Sequence, residues 1–270
     1  MTAPLLVASA SATHTGARRT LNEDAHLAAS PLFLVADGMG GHEAGERASA
    51  AVIEQFGMLV GHESLALEDV RATLARSRAA VEALASGGSA RAGTTLSGVV
   101  IASVDGMGDW LSLNIGDSRT YRFADDRLER ITVDHSVIQE LLDSGEITAE
   151  QAATDARRNI ITRAIGAGST GDADYWLFPA ELGDRMLVCS DGLTSELSEE
   201  RIRDVLAHES DPQRAADILT IEAVTAGGRD NITVVIVDAV QVAAQRGSIV
   251  HADEVDDDTR PREAVNGGVR

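Results

Sequence analysis

Four short acidic signatures lie far apart in this 270-residue chain, and each adjoins a stretch that reads as a strand. They are Asn-Glu-Asp at Asn22 to Asp24, then Asp37-Gly38, Asp191-Gly192 and Asp230-Asn231. Signatures at strand ends are placed to converge although they are distant in sequence. Carboxylates brought that close repel unless something positive sits between them, and hard divalent cations are what oxygen ligands hold. One Asp-Gly pair alone is an ordinary turn; four acidic signatures that converge predict a metal-centred hydrolytic site.

Charge and composition remove several classes. A formal charge of −20 argues against nucleic acid or an anionic membrane as partner, because phosphate surfaces call for a cationic one. All 23 basic residues are arginine, so Schiff-base chemistry, the phosphate-binding lysine of nucleotide loops and the catalytic lysine of kinases are absent. The single cysteine, Cys189, follows the apolar run Met186 to Val188 and reads as part of a buried strand. Leu5 to Ala12 is apolar but lacks a basic flank and is too short to span a bilayer. No membrane insertion is expected, and the chain reads as cytoplasmic.

Ala44, Ala48, Val52, Phe56 and Leu59 recur at helical spacing, as do Val70, Leu74, Val81 and Leu84. Thr94 to Val104, Trp110 to Ile115 and Thr120 to Phe123 follow as extended runs between glycine and aspartate turns, which predicts an antiparallel meander. A polar, partly helical stretch covers 134–163. Met186 to Ser190 reads as a strand and Glu199 to His208 as a helix. Asp211 and Pro212 open another helix that Gly227 and Gly228 end, and Ile232 to Val237 closes as a strand. Helices laid over the outer faces of packed antiparallel sheets account for this order. Residues 1–244 read as one catalytic domain, and 245–270 as an acidic, disordered tail.

Seven motifs then stand in order: GARRTLNED from Gly16, LVADGMGGHEAGE from Leu34, GTT at Gly93 to Thr95, NIGDSRTYR from Asn114, NIITRAIG from Asn159, CSDGL from Cys189 and GGRDN from Gly227. This succession resembles the bacterial branch of the metal-dependent serine/threonine phosphatases of the protein phosphatase 2C type, over roughly Thr15 to Asp238. The resemblance implies an α+β fold, a central β-sandwich of two antiparallel sheets flanked by helix pairs, with a two-metal centre at one end.

It also implies roles. Asp37, Asp191 and Asp230 become metal ligands, with the Gly38 carbonyl on one ion and Asp37 the best candidate to bridge two. Glu23 and Asp24 resemble the acidic pair that holds metal-bound waters, and Asn231 positions the Asp230 turn. Arg19 grips the substrate phosphate, a task suited to the guanidinium fork; Arg18, its neighbour, points the other way in an extended segment. His42 is the candidate general acid for the departing alkoxide. Asp117 resembles the ligand for a third, weaker metal, or else caps its turn. Residues 145–158 correspond to the flap beside the active site. There the chain departs from the usual pattern, with Asp155 and Ala156 where a His-Pro pair commonly stands.

Other phosphatase mechanisms fail on the sequence. A cysteine-dependent enzyme needs an arginine six residues after its nucleophile, where this chain has Ser195. A haloacid-dehalogenase type needs a second aspartate two residues from the first, yet Val35 and Met39 flank Asp37, while Cys189 and Leu193 flank Asp191. Thr94 stands where a nucleotide loop ending near Thr95 requires lysine. The expected activity is hydrolysis of phosphoserine and phosphothreonine in proteins by a hydroxide bridging two Mn²⁺ or Mg²⁺ ions, opposing a cognate kinase, with nothing demanding more than a monomer. Alternatives of other kinds are a partner-switching regulator acting on an anti-sigma antagonist and a catalytically silent phosphoprotein-binding relative.

Overall fold

The computed structural model describes residues 3–40, 43–85, 92–158, 160–169 and 171–243. The proposed 245–270 tail and His42 lie outside them. The strands, in chain order, are β1 (Leu5–His14), β2 (Asp24–Ala29), β3 (Leu32–Met39), β4 (Gly93–Thr94), β5 (Leu96–Val104), β6 (Met107–Ile115), β7 (Arg119–Ala124), β8 (Arg127–Arg130), β9 (Ile165–Gly166), β10 (Asp174–Pro179), β11 (Arg185–Cys189) and β12 (Ile232–Val242). The helices are α1 (Ala44–Gly57), α2 (Leu67–Ala85), α3 (Val137–Asp143), α4 (Ala149–Thr154), α5 (Asp191–Thr194), α6 (Glu199–His208) and α7 (Pro212–Ala226).

One sheet runs β1-β12-β11-β7-β8. The other runs β10-β6-β5-β3-β4-β9, with β2 also paired to β3. Every pairing is antiparallel. Alternation along the central strands produces four layers, because successive side chains face opposite sides of a sheet. In β3, Leu32, Leu34 and Ala36 pack under Val52 and Phe56 of α1 and Val70 and Leu74 of α2. Phe33 and Val35 face the other way, meeting Met186, Val188, Val235 and Val237 between the sheets. In β11 and β12, Leu187, Cys189, Val234 and Ile236 turn outward to Val205 of α6 and Leu219 of α7. Strands covered on both faces read as near-continuous apolar runs, as the segments 32–36 and 232–237 do.

The expected sandwich with helix pairs on its outer faces is thus the fold observed. The meander is corrected: β5 and β6 form a hairpin, but β7 leaves for the other sheet and pairs β11. The apolar segment Leu5 to Ala12 belongs to β1, Leu5–His14, an edge strand of the five-stranded sheet. Among the described residues no helix is long and apolar enough to cross a membrane.

Candidate metal centre

The β2–β3 register sets Asp24 opposite Asp37 at one end of the sandwich. Two threonines past the α1–α2 layer fix the end of β3. Thr95 Oγ1 accepts from Asp37 N–H at 3.0 Å, Thr95 N–H donates to Asp37 C=O at 2.9 Å, and Thr94 Oγ1 donates to the same carbonyl at 2.9 Å. Gly38 comes next because no side chain fits: a Cβ there would lie 2.3 Å from the Gly45 carbonyl oxygen and 2.6 Å from that of Glu23. Asp191 follows β11 as the first residue of α5, and Asp230 precedes β12.

Asn231 is buried and ties these ends together. Its Oδ1 accepts from Glu23 N–H at 2.8 Å, and its Nδ2 donates to the carbonyls of Thr15 and Leu21, each at 2.9 Å. Its own N–H donates to Asp230 Oδ1 at 2.8 Å. It therefore does more than shape the Asp230 turn, since it also sets the loop that presents Arg19 and Glu23. Ser190 Oγ, in the CSDGL motif but given no task by the sequence, donates to Asp24 Oδ2 at 2.9 Å and accepts from Thr233 N–H at 3.0 Å.

Arg19, Glu23, Asp37, Asp117, Asp191 and Asp230 line one cavity of about 320 Å³, together with Gly38 and Gly40. Arg18 is not in its lining. Arg19 Nη2 donates to Asp230 Oδ2 at 2.6 Å while the guanidinium stays half exposed. Asp117 stands in the loop between β6 and β7, where Ser118 Oγ hydrogen-bonds Thr95 Oγ1 at 2.8 Å. A larger neighbouring cavity of about 560 Å³ shares Asp117, Asp191 and Asp230 and extends beneath α3 and α4.

The electrostatics are those of crowded, desolvated anions. Burial first, then the neighbouring Asp191 and Asp230 charges, pushes Asp24 up to about 7 against the hydrogen bonds it receives. Burial and the charge of Asp191 push Asp117 up to about 7, and burial with Asp230 pushes Asp191 up to about 6. Asp37 is raised well above the ordinary carboxylate range by burial and by Asp24, Asp191, Asp117 and Asp230 together. Glu23 is raised by burial as well.

Three buried carboxylate oxygens, Glu23 Oε1, Asp24 Oδ1 and Asp191 Oδ1, have no hydrogen-bond partner among the described residues. Such groups are costly unless paired or bound to a cation. Among the described residues no three ligating side chains form a closed metal-binding group, and Asp230 is drawn toward Arg19. The donors nevertheless fit a hard divalent ion: they are all oxygen, crowded, and partly orphaned.

The flap is closed at its neck by a bridge between Ser136 and Ile161. Val137 N–H donates to Ile160 C=O at 2.9 Å and Thr162 N–H to His135 C=O at 2.8 Å. Ile161 lines the carboxylate cavity. At the departure from the usual pattern, Asp155 ends α4 and binds the N–H and guanidinium of Arg157, which holds its carboxyl down at about 2. Ile161, Ser190 and His135 escaped the sequence reading because their partners lie in other elements.

A family model described as Protein phosphatase 2C matches residues 12–221. The serine/threonine phosphatase stp of Listeria innocua is 32% identical over 224 residues, covering 77% of this chain and 84% of its own. The crystal structure of the Mycobacterium tuberculosis serine/threonine phosphatase PstP/Ppp superposes with a TM-score of 0.82 at 34% identity, over 88% of this chain and 100% of that one. The catalytic domain of PstP in complex with two manganese ions gives 0.80 at 34% identity, with the same coverage. The chain belongs to the protein phosphatase 2C family and is a metal-dependent serine/threonine protein phosphatase.

Proposed function

We propose that Asp37, Asp191 and Asp230, with the Gly38 carbonyl, hold two divalent cations, that Glu23 and Asp24 hold waters on them, and that Asp117 serves a third, weaker ion. The single observation that supports this most is the cavity shared by Glu23, Asp37, Asp117, Asp191 and Asp230, with orphaned, buried oxygens on Glu23, Asp191 and the adjacent Asp24, which is not in its lining. Mn²⁺ is the favoured ion over Mg²⁺, since small oxygen sites hold Mg²⁺ weakly and Mn²⁺ stands above it in affinity. When bound, the cations neutralise phosphoryl charge and acidify water.

The chain's own residues do the rest. Arg19 gives Asp230 one N–H, through Nη2, so the second Nη2 hydrogen and a neighbouring N–H can form the parallel pair with which a guanidinium fork takes two phosphate oxygens. His42 hands a proton to the departing serine or threonine oxygen; its place two residues after Gly40, which lines the cavity, supports this. The phosphoryl group passes straight to water, and the one thiol does not compete as a nucleophile. Cys189 is fully buried in β11, and burial pushes it up to about 12.

The domain reading keeps residues 1–244 as one catalytic unit followed by an acidic tail. The substrates are phosphoserine and phosphothreonine proteins made by a cognate kinase, met in the cytoplasm by a monomer. Phosphate release from a phosphothreonine peptide, measured with Mn²⁺, Mg²⁺ or chelator, tests the centre. Release should be highest in Mn²⁺, vanish in chelator, and fall by more than about 100-fold in Asp191→Asn. An active Asp191→Asn, or activity indifferent to chelator, would overturn the assignment.

A further inference from the structure

The His135 ring stands between the Asp117 loop and the base of the flap, and it touches both. It is 5% exposed. On one side Gly116 N–H donates to Nδ1 at 3.2 Å, and His135 N–H returns a bond to Gly116 C=O at 2.9 Å. The same carbonyl accepts from Asn114 Nδ2 at 3.1 Å. Gly116, the residue before Asp117, is therefore gripped at both of its backbone polar groups.

On the other side Nε2 lies 3.0 Å from Asp174 Oδ2, at the start of β10. An Nδ1 that accepts a backbone N–H carries the lone pair, so in the neutral ring Nε2 carries the hydrogen and donates it to Asp174. Arg163 Nη1 approaches Nε2 at 3.3 Å and Asp174 Oδ1 at 3.1 Å. Since that nitrogen has no lone pair left, the useful contact of Arg163 is the carboxylate. The ring is thus aimed by an acidic partner at one nitrogen and holds the Gly116 backbone with the other. Its own carbonyl accepts from Thr162 N–H across the neck of the flap.

We propose that His135 is a positioning residue for Asp117: it fixes the loop that aims this carboxylate into the cavity and ties that aim to the flap neck. The inference rests on the reading of Asp117 as ligand of the weaker ion. Partners that orient a ligand without touching the metal commonly change its affinity by about 10–100-fold. The His135 contact is one step further removed, through backbone, so the lower end of that range is expected.

Two substitutions separate positioning from packing, because asparagine places an amide oxygen near Nδ1 and glutamine places an amide NH2 near Nε2. His135→Asn keeps an acceptor for Gly116 N–H; His135→Gln keeps the polar group at Asp174 and abandons Gly116. Mn²⁺ is titrated into the full chain and followed by the paramagnetic signal of the free ion, which resolves weak from tight binding. The expected result is a weak site about 10-fold poorer in His135→Gln, unchanged in His135→Asn, with tight binding equal in both. The Mn²⁺ concentration needed for half-maximal peptide turnover should follow the same order.

Equal loss in the two variants, or no loss in either, overturns the proposal. Asp117→Asn separates the two readings. If it leaves weak binding intact, the assignment of Asp117 fails and the role of His135 fails with it. If it weakens that site while folded His135→Gln does not, only the role of His135 fails. Should His135→Gln not fold, Asp174→Ala at the half-exposed end of the relay decides. A weaker Mn²⁺ site there supports the ring's role, and an unchanged one overturns it.

Discussion

At the carboxylate end of the sandwich, each backbone approach is set by a group from a remote part of the chain. Asn231 reaches back to Thr15, Leu21 and Glu23, Thr95 holds Asp37, and Ser190 holds Asp24. Across the cavity the flap is tied at its neck through Ser136 and Ile161, and beyond the neck it is held by neighbours. Thr148 and Gln151 cap α4 reciprocally, Gln139 bonds Asp143, and Asp155 bonds Arg157. Remote ties make the ligand end part of the global fold, whereas local ones let a segment open alone. Geometry at the carboxylate end is thereby separated from a wall that can open on its own.

The largest effect that would break this contrast falls on Gly192. A Cβ there would lie 1.9 Å from the Asn231 carbonyl oxygen, backbone against backbone, so α5 and the start of β12 would have to part. Gly192→Ala is expected to cost about 3 kcal/mol or more, lowering Tm by about 6–12 °C in a domain of this size. Mn²⁺ affinity should fall with it, since Asp191 and Asp230 stand on the two sides of the clash. A variant with unaltered Tm would mean that this end is as loosely built as the flap.

A smaller effect follows from the raised carboxyls. In chelator the folded chain keeps protons on Asp24 and Asp117 to about pH 7 and on Asp191 to about pH 6, whereas the unfolded chain releases them near pH 4. The folded state then binds more protons, so stability falls as pH rises between those values. The part of the stability tied to these protons is fully present below about pH 4 and is lost as pH rises through about 7, and the raised Asp37 adds to the fall. Saturating Mn²⁺ keeps the carboxylates ionised and adds its own binding energy, which should raise Tm and abolish the fall. Thermal unfolding from pH 5 to 8 with chelator or Mn²⁺ reads both. A Tm in chelator that climbs with pH over this range, or a slope unchanged in Asp191→Asn, would show that these groups do not govern the end of the sandwich.

The same contrast explains what the sequence disclosed. Asp37, Asp191 and Asp230 were legible because each is written beside its own strand, and the helices α6 and α7 because their caps and periodicity are local. The passage of β7 into the second sheet was not, since a hairpin and a crossover share the same turn residues; only the partner, β11, distinguishes them. Nor were the tasks of Asn231 and His135, whose partners lie up to 216 and 39 residues away. Side chains that hold a site by long-range hydrogen bonds leave no periodic trace.

The smallest effect sharpens the flap side. α4 is six residues long, too short to persist without its cap. Thr148→Ala removes the hydroxyl that accepts from Gln151 N–H, a loss of about 1 kcal/mol. If the flap opens as its own unit, that energy appears as local opening: exchange of the α4 amides should quicken about fivefold. The global Tm should stay in place, rather than drop by the 2–4 °C or so that 1 kcal/mol would produce in the whole domain. If the proposed roles of the carboxylates and Arg19 hold, turnover of an activated aryl phosphate should stay in place, while turnover of a phosphothreonine peptide should shift through KM. A falling Tm with unchanged α4 exchange would place the flap inside the same cooperative unit as the carboxylates. Variation at Asp155 and Ala156 would then be constrained by stability and not by the substrate alone.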